Sequence, residues 1–496
     1  MSNITTFLTV AAIWLFLPLI ILAWLPFYLA RCGVKILAML LRRDLISMLA
    51  PIDGIFSHDE IHTCPLNAII GSVELEGDVD LDLIRETMRT NVLEARTESN
   101  KLLYPELGWT IEHWLGFPFW KEASLFLHDR IWLHPSNMRD HEVANFQTQL
   151  TFKPFKINQP LWEVVIVRKA SSSIFELMFR FHHSVSDGAG ILHMLGKMRI
   201  PQGPDAVWEK PRKSEHLSLL RYLSMPYDYV KTRREVSRTV GLVRNEMRFD
   251  DELSCSEAAA RLRFHSSGSI PFSVIRKIGE KYNVGGVAVM HSAMLGAVRM
   301  SCFAKGGPIP ATVAVETAIL PPWERERPLG NHVTHGMYAA PLGELDSRKR
   351  ILRTQQALTE MKRSTYSVTV ALIVQALASL PRPIVAQIYR NDSKEQKIFV
   401  GNLPGPEYLS NFCGYVAKNV TVRAGFYARY SGRLKTKVFK TLGKVRYFLL
   451  GLGVGLISFG GNLRFGVIAN DHVLSKPGQA EEITRLFLAE LGNLVE

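Results

Sequence analysis

The thirty residues from Met1 to Ala30 carry no charged side chain, and a stretch of this kind can be buried in very few ways. About 20 apolar residues suffice to cross a bilayer as helix. Ile4 to Ala30 is almost wholly apolar, with Trp14 and Trp24 along it. A cleaved signal peptide fits poorly, because a basic leading region is missing and the apolar run is too long. Pro18 and Pro26 weaken a straight span and leave a kinked span or a shallow hairpin open. Arg31, Lys35, Arg42 and Arg43 follow the run, so the positive-inside rule places the body in the cytosol. Asn3-Ile4-Thr5 has the form of a glycosylation sequon but lies too close to the bilayer to weigh much. Gly33 to Leu49 mixes basic and apolar residues and reads as a helix on the membrane surface.

The chain has 496 residues, too many for one ordinary core, so two domains are expected. Its net charge of +13 suits nucleic acid, an anionic membrane or an anionic substrate. Zinc spacings and basic helices with interleaved aromatics are missing, which makes nucleic acid the weakest of the three. Lys418 to Arg446 holds nine basic residues and no acidic one. A solvated face would account for it, but beside an apolar anchor the preferred reading is contact with anionic headgroups. The five cysteines, Cys32, Cys64, Cys255, Cys302 and Cys413, form no metal or redox spacing. Reduced thiols in a cytosol-like compartment are expected, with palmitoylation open at Cys32.

Along the body, Leu66–Leu75 alternates as a strand, and Leu81–Leu93 has helical spacing. Pro105 to Pro135 is aromatic and hard to assign. Val143–Phe152 reads as helix. Trp162–Val167 and Ile174–Phe181 read as the two strands of a hairpin, followed by a helix over Gly188–Met198. Pro201–Pro211 is a linker by composition, and Ser214–Phe249 is an arginine-rich helical crossover. Beyond it, helices are expected at Val287–Met300, Arg348–Arg363 and Glu481–Leu494, and strands at Ala311–Ile319, Gly336–Ala340 and Ile398–Asn402. Tyr447–Leu463 is uncharged but short and glycine-rich.

The hairpin's second strand runs into Phe181-His182-His183-Ser184-Val185-Ser186-Asp187-Gly188. Strand parity puts Phe175, Leu177, Phe179, Phe181 and His183 on one side, and Glu176, Arg180 and His182 on the other. An imidazole in apolar surroundings stays neutral near pH 7 and can accept a proton. An alcohol nucleophile needs such a base. Adjacent histidines project to opposite sides of a strand and chelate poorly, so metal is not expected. A serine elbow of the form GxSxG is missing too.

The HHxxxDG pattern resembles that of the acyltransferase superfamily that includes chloramphenicol acetyltransferase and peptide-synthetase condensation domains. Pro160-Leu161-Trp162-Glu163, Pro51-Ile52-Asp53 and Gly401-Asn402-Leu403-Pro404-Gly405-Pro406 resemble motifs of the wax ester synthase / diacylglycerol acyltransferase family. Leu329-Gly330-Asn331 and Leu463–Val467 are lesser echoes. The resemblance covers roughly residues 50–496. The family's Asn-Asp pair is missing from Asn283-Val284-Gly285-Gly286-Val287, so no role of that pair carries over. The anchor and the basic insert resemble a eukaryotic, membrane-tethered branch.

The resemblance implies an α/β fold: two chloramphenicol-acetyltransferase-like open-sheet domains with a tunnel between them, plus the membrane segment. The expected parts are an anchor with its juxtamembrane helix (1–49), an N-terminal domain (50–200), a crossover (201–264) and a C-terminal domain (265–496). Tyr447–Leu463 then becomes buried strand. His183 is implied as general base, with His182 beside it. Asp187 is implied as structural through an unnamed basic partner, and Gly188 and Gly190 as permitting the tight turn. Pro160, Leu161, Trp162, Asn402, Pro404 and Gly405 are implied at the substrate. No cofactor is needed, since acyl-CoA is itself a substrate. The implied partners are acyl-CoA, a fatty alcohol or diacylglycerol, and membrane lipid through 1–49 and 418–446, with the endoplasmic reticulum or a lipid droplet as location. The rival reading is a catalytically silent lipid-binding or lipid-transfer protein that kept the tunnel.

Overall fold

The computed structural model describes residues 2–170, 172–200, 218–239, 255–303, 309–385, 398–405, 407, 411–424, 427–430, 446–449 and 451–496. In the first half the chain forms α1 (Ser2–Leu41), β1 (Leu45–Met48), α2 (Pro51–Phe56), β2 (Ala68–Glu76) and α3 (Leu81–Met88). Then come β3 (Trp109–Trp114), β4 (Phe117–Glu122), α4 (Leu127–Arg130), β5 (Ile131–Leu133) and α5 (Asp140–Phe152). The hairpin is β6 (Trp162–Arg168) and β7 (Ile174–His182), followed by α6 (Gly188–Lys197), β8 (Arg199–Ile200) and α7 (Leu219–Ser237). The second half holds α8 (Cys255–Ala260), β9 (Leu262–Ser266), β10 (Ile270–Pro271), α9 (Phe272–Tyr282), α10 (Gly286–Val298), β11 (Val313–Ile319) and β12 (Thr334–Ala340). It continues with α11 (Ser347–Arg363), α12 (Tyr366–Ala378), β13 (Ile398–Pro404), β14 (Asn411–Phe412) and β15 (Tyr415–Ala424). Last come β16 (Tyr427–Tyr430), β17 (Arg446–Leu449), β18 (Leu452–Phe459), β19 (Asn462–Asn470) and α13 (Gln479–Val495).

Two seven-stranded sheets result, ordered β5-β6-β7-β2-β15-β14-β8 and β10-β19-β18-β13-β11-β12, with β9 on β19. Each carries its own apolar core. The expected hairpin forms, with Trp162 opposite Phe181 and Val164 opposite Phe179. In the second sheet β13 runs parallel to both β11 and β18. The aromatic stretch that resisted assignment folds largely as the β3–β4 hairpin, and β1 adds to it.

Strand pairing crosses the division at residue 265. β14 and β15 come from the second half but pair in the first sheet, β15 lying on β2 with Val420 opposite Val73. Strand pairing, rather than sequence distance, decides which sheet a segment joins, and here it stitches the halves together.

Three further expectations change. α1 is one continuous helix with Pro18 and Pro26 inside it, so a hairpin does not form. The surface helix expected over Gly33–Leu49 is the end of α1, which stops at Leu41 before β1. Cys64 is disulfide-bonded, against the expected reduced thiols, while Cys32, Cys302 and Cys413 are free. A disulfide suits an oxidising compartment, so the cytosolic placement loses that support.

Within the basic run, Lys418 pairs with Glu76 at 2.7 Å. Arg423 is buried over the Phe264 ring and donates to the Ala144 carbonyl at 3.1 Å. Arg423 is thus taken up by the fold, whereas Lys418 stays exposed beside its carboxylate. Residues 431–445 of that run, and all of Pro201–Pro211, lie outside the described residues.

Candidate active site

β7 delivers both histidines to the edge of the first sheet's core. His182 ends the strand, wholly buried, and its N–H donates to the Leu161 carbonyl at 2.9 Å. Its Nδ1 accepts from the Ser184 N–H at 3.3 Å. Its Nε2 then carries the proton and donates to Asp59 Oδ2 at 3.3 Å. The same carboxylate accepts from the Leu66 and Asn67 N–H groups at 2.6 and 2.7 Å. Both ring nitrogens of His182 are therefore occupied in holding the loop.

His183 lies one residue past the strand. Its N–H donates to the Asn67 carbonyl at 2.8 Å, and its own carbonyl accepts from Asn331 Nδ2 at 2.8 Å. The ring stacks flat on Phe56, centroids 3.8 Å apart, and Nδ1 finds no hydrogen-bond partner among the described residues. Burial pushes the imidazole down to about 4, with the Asp187 charge opposing that shift. The His183 imidazole is thus neutral at pH 7 and rests against a phenyl ring, while His182 is turned to a carboxylate; the strand stops at His182, so strand parity does not extend to His183.

Asp187 caps α6, accepting from the Gly190 N–H at 2.8 Å. Its basic partner is Arg325, which reaches both carboxylate oxygens at 3.0 and 3.1 Å. The His332 N–H adds a third donor at 2.6 Å. Arg325 also donates to the Gly330 carbonyl at 2.7 Å, and the Gly330 N–H donates to the Val185 carbonyl at 3.1 Å. A loop of the second half thereby grips the histidine loop of the first.

A second buried carboxylate, Asp53, holds the same loop. It accepts from the backbone N–H and Nδ2 of Asn331 at 2.7 and 2.8 Å, and from Arg327. Arg327 also donates to Glu106 at 2.6 Å. Burial pushes the Asp53 and Glu106 carboxyls up, and the Arg327 charge opposes it in both.

Gly188 and Gly190 were expected to permit a tight turn, but neither has a positive φ. Close approach explains them instead. A Cβ at 188 would stand 2.8 Å from the Leu403 side chain, and one at 190 would stand 2.9 Å from the Pro328 carbonyl. Leu403 belongs to the Asn402–Gly405 segment, so the end of β13 is packed against the start of α6. The Gly405 N–H donates to the Ser458 carbonyl at 2.8 Å.

Pro160-Leu161-Trp162 leads into β6, beside the histidine strand. Leu161 and Trp162 are buried, Trp162 donates to the Leu107 carbonyl at 2.7 Å, and Arg130 donates to the Pro160 carbonyl at 3.4 Å. With the Leu161 carbonyl holding His182, these residues brace the histidine strand from behind. An open cleft does reach Asn331, lined also by Ile52, Trp323, Thr334, and Val374 and Gln375 of α12.

Arg325, Arg327, Phe56 and Asp59 were not singled out from the sequence. The signal available was Glu324-Arg325-Glu326-Arg327, a charged run separated only by Pro328 from Leu329-Gly330-Asn331.

Two sequence models of one family match: the wax ester synthase/diacylglycerol acyltransferase catalytic domain over residues 59–277, and its C-terminal domain over 329–424. The chain belongs to that family. It is accordingly an acyltransferase, and the HHxxxDG segment, Asp59 and β13 all fall inside or between the matched regions. Proteins in two strains of Mycobacterium tuberculosis, provisionally named diacylglycerol O-acyltransferases, are 23% identical over 329 residues, covering 59% of this chain and 69% of theirs. The fold matches the wax ester synthase/diacylglycerol acyltransferase of Marinobacter aquaeolei VT8, with a TM-score of 0.57 and 16% identity, over 90% of this chain and 98% of that one. It also matches a trichothecene 15-O-acetyltransferase of Fusarium sporotrichioides, with a TM-score of 0.60 and 12% identity, over 90% and 95% of the two chains.

Two outcomes test this geometry. Asp187→Asn and Arg325→Gln should each lower the transfer rate by roughly 10²-fold, since a misplacement of about 1 Å can cost that much. Each should also lower the melting temperature, because a buried charge loses its partner. The double variant should be no worse than the poorer single one, as initial rates and melting curves would show. The second outcome concerns pH. A histidine that takes a proton acts in its neutral form, so with His183 in that role the depressed value should keep the rate level through pH 6.5 and place the acid limb near 4. The same group favours folding fully above its unfolded value of about 6.5 and progressively less as pH falls toward 4. Phe56→Ala should move the acid limb up toward 6.5 in a rate–pH profile.

Proposed function

We propose that this acyltransferase moves a long-chain acyl group from acyl-CoA to a fatty alcohol or diacylglycerol, giving wax ester or triacylglycerol, with His183 as general base. The observation that carries the reading is a neutral His183 ring on an apolar wall, in a loop clamped from both halves. Family membership and the names of the relatives support the substrate classes. The apolar α1 supports a lipid acceptor held at a membrane.

The chemistry is direct transfer. His183 takes the proton from the acceptor hydroxyl as the oxygen attacks the thioester carbonyl. The carbonyl re-forms, the carbon–sulfur bond breaks, and the imidazolium returns its proton to the departing thiolate. The thiolate leaves more readily than an alkoxide, so ester formation is downhill. His182, Asp187 and Arg325 take no part in the proton transfer. They fix where the His183 ring stands, and orientation of this kind is a major share of such catalysis.

The test is purified full-length protein with labelled palmitoyl-CoA and a panel of fatty alcohols, diacylglycerol and sterols. Labelled ester with fatty alcohol or diacylglycerol, with matching release of free CoA, is expected. Acyl-CoA bound but never transferred to any acceptor would overturn the reading in favour of a silent lipid carrier.

A further inference from the structure

α1 is 40 residues long, about 60 Å of helix against a hydrocarbon core of about 30 Å. A span standing off its body would touch it at one end. This helix meets it at points spread along its length. Arg234 of α7 donates to Thr6 and Thr9 Oγ1 at 2.5 and 3.1 Å. Trp24 Nε1 donates to the Ala376 carbonyl of α12 at 3.1 Å, and Arg31 donates to the Leu49 carbonyl at 2.7 Å. Ala38 is buried among Leu45, Phe117 and Phe119.

The partly covered positions recur at helical spacing: Thr6, Val10, Ile13, Leu17, Trp24 and Ala38 fall in one stripe. Most of the other residues between Phe7 and Ala30 are exposed and apolar. On α7, which packs beside it, Leu219 and Leu220 are 75% and 78% exposed, and Tyr222, Leu223 and Tyr227 are exposed with them. Leu372 extends the surface on α12.

We propose that α1 lies in the plane of a membrane leaflet instead of crossing it, and that α1, the first turns of α7 and the outer face of α12 form one lipid-embedded platform under the body. Charge places the occupant. An upright α1 would carry Arg234, held to Thr6 and Thr9, and with it Lys231 and Arg233, through the hydrocarbon core toward its far side, where charge is costly to bring. Laid flat, the uncharged residues sit among acyl chains, and exposed Lys35, Arg43 and Arg238 at the rim meet headgroups. Resting on the acceptor reading above, α12 then matters twice. Its Val374 and Gln375 line the cleft that reaches Asn331, so a lipid alcohol enters from the leaflet without crossing water.

The experiment uses full-length protein in phosphatidylcholine vesicles containing phosphatidylserine, and its readout is independent of activity. A Thr9→Cys/Arg234→Cys variant is oxidised in detergent and in vesicles, and the bridges are mapped by peptide mass. An intrachain bridge between positions 9 and 234 is expected in both media. A bridge formed in detergent and lost in vesicles would mean that the helix swings away to span. A bridge between two chains would mean that a second copy covers the surface. Either overturns the proposal. A fluorophore on Leu220→Cys decides the matter if the pair fails to bridge in either medium: quenching by lipids with nitroxide-labelled acyl chains is expected, and an unquenched label contradicts the proposal.

Discussion

The grip of Arg325 on both oxygens of Asp187 is the contact on which the site depends. Asp187 belongs to the loop after β7, and Arg325 to the loop between β11 and β12. Neither half alone can fix the His183 ring. With the grip in place, the Gly330 N–H meets the Val185 carbonyl and Asn331 meets the His183 carbonyl. The base is then held on the side of the backbone as well as by its stack on Phe56.

Holding a base this way requires burying charge. Asp53, Asp187, Glu106, Arg325 and Arg327 all stand close to the loop, with both carboxyls of Asp53 and Glu106 raised by burial. Isolated, such charges would be costly; paired and hydrogen-bonded, they are tolerated and breaking one is what destabilises. The arrangement leaves one imidazole free of this network. His182 spends both nitrogens on Ser184 and Asp59, whereas the His183 ring meets a phenyl face and its Nδ1 has no hydrogen-bond partner among the described residues.

Much of this was legible in the residues. The β6–β7 hairpin was legible as two apolar, β-rich runs joined by a short polar loop, as befits strands buried on both faces. The helices over 81–93, 348–363 and 481–494 followed from their 3.6-residue spacing. What stayed hidden was long-range. Arg325 is 138 residues from Asp187, Asp59 is 123 from His182, and no local pattern reports such a pair. The transfer of β15 into the first sheet was invisible for the same reason. The motif Pro160-Leu161-Trp162 was noticed, but its work as a brace is set by what packs behind it. Glycines 188 and 190 were noticed too, and only the positions of Leu403 and Pro328 say why a side chain is excluded.

The central claim is a division of labour between two neighbouring histidines, one holding the loop and one taking the proton. It is tested most directly by comparing His183→Ala and His182→Ala as purified proteins, with ester formation and thermal melting measured on both. His183→Ala should keep its melting temperature within a few degrees while losing at least about 10²–10⁴ in rate, the usual cost of removing a general base. His182→Ala should melt markedly earlier and retain measurable transfer. A His183→Ala protein with near wild-type turnover, beside an inactive but equally stable His182→Ala protein, would contradict the account.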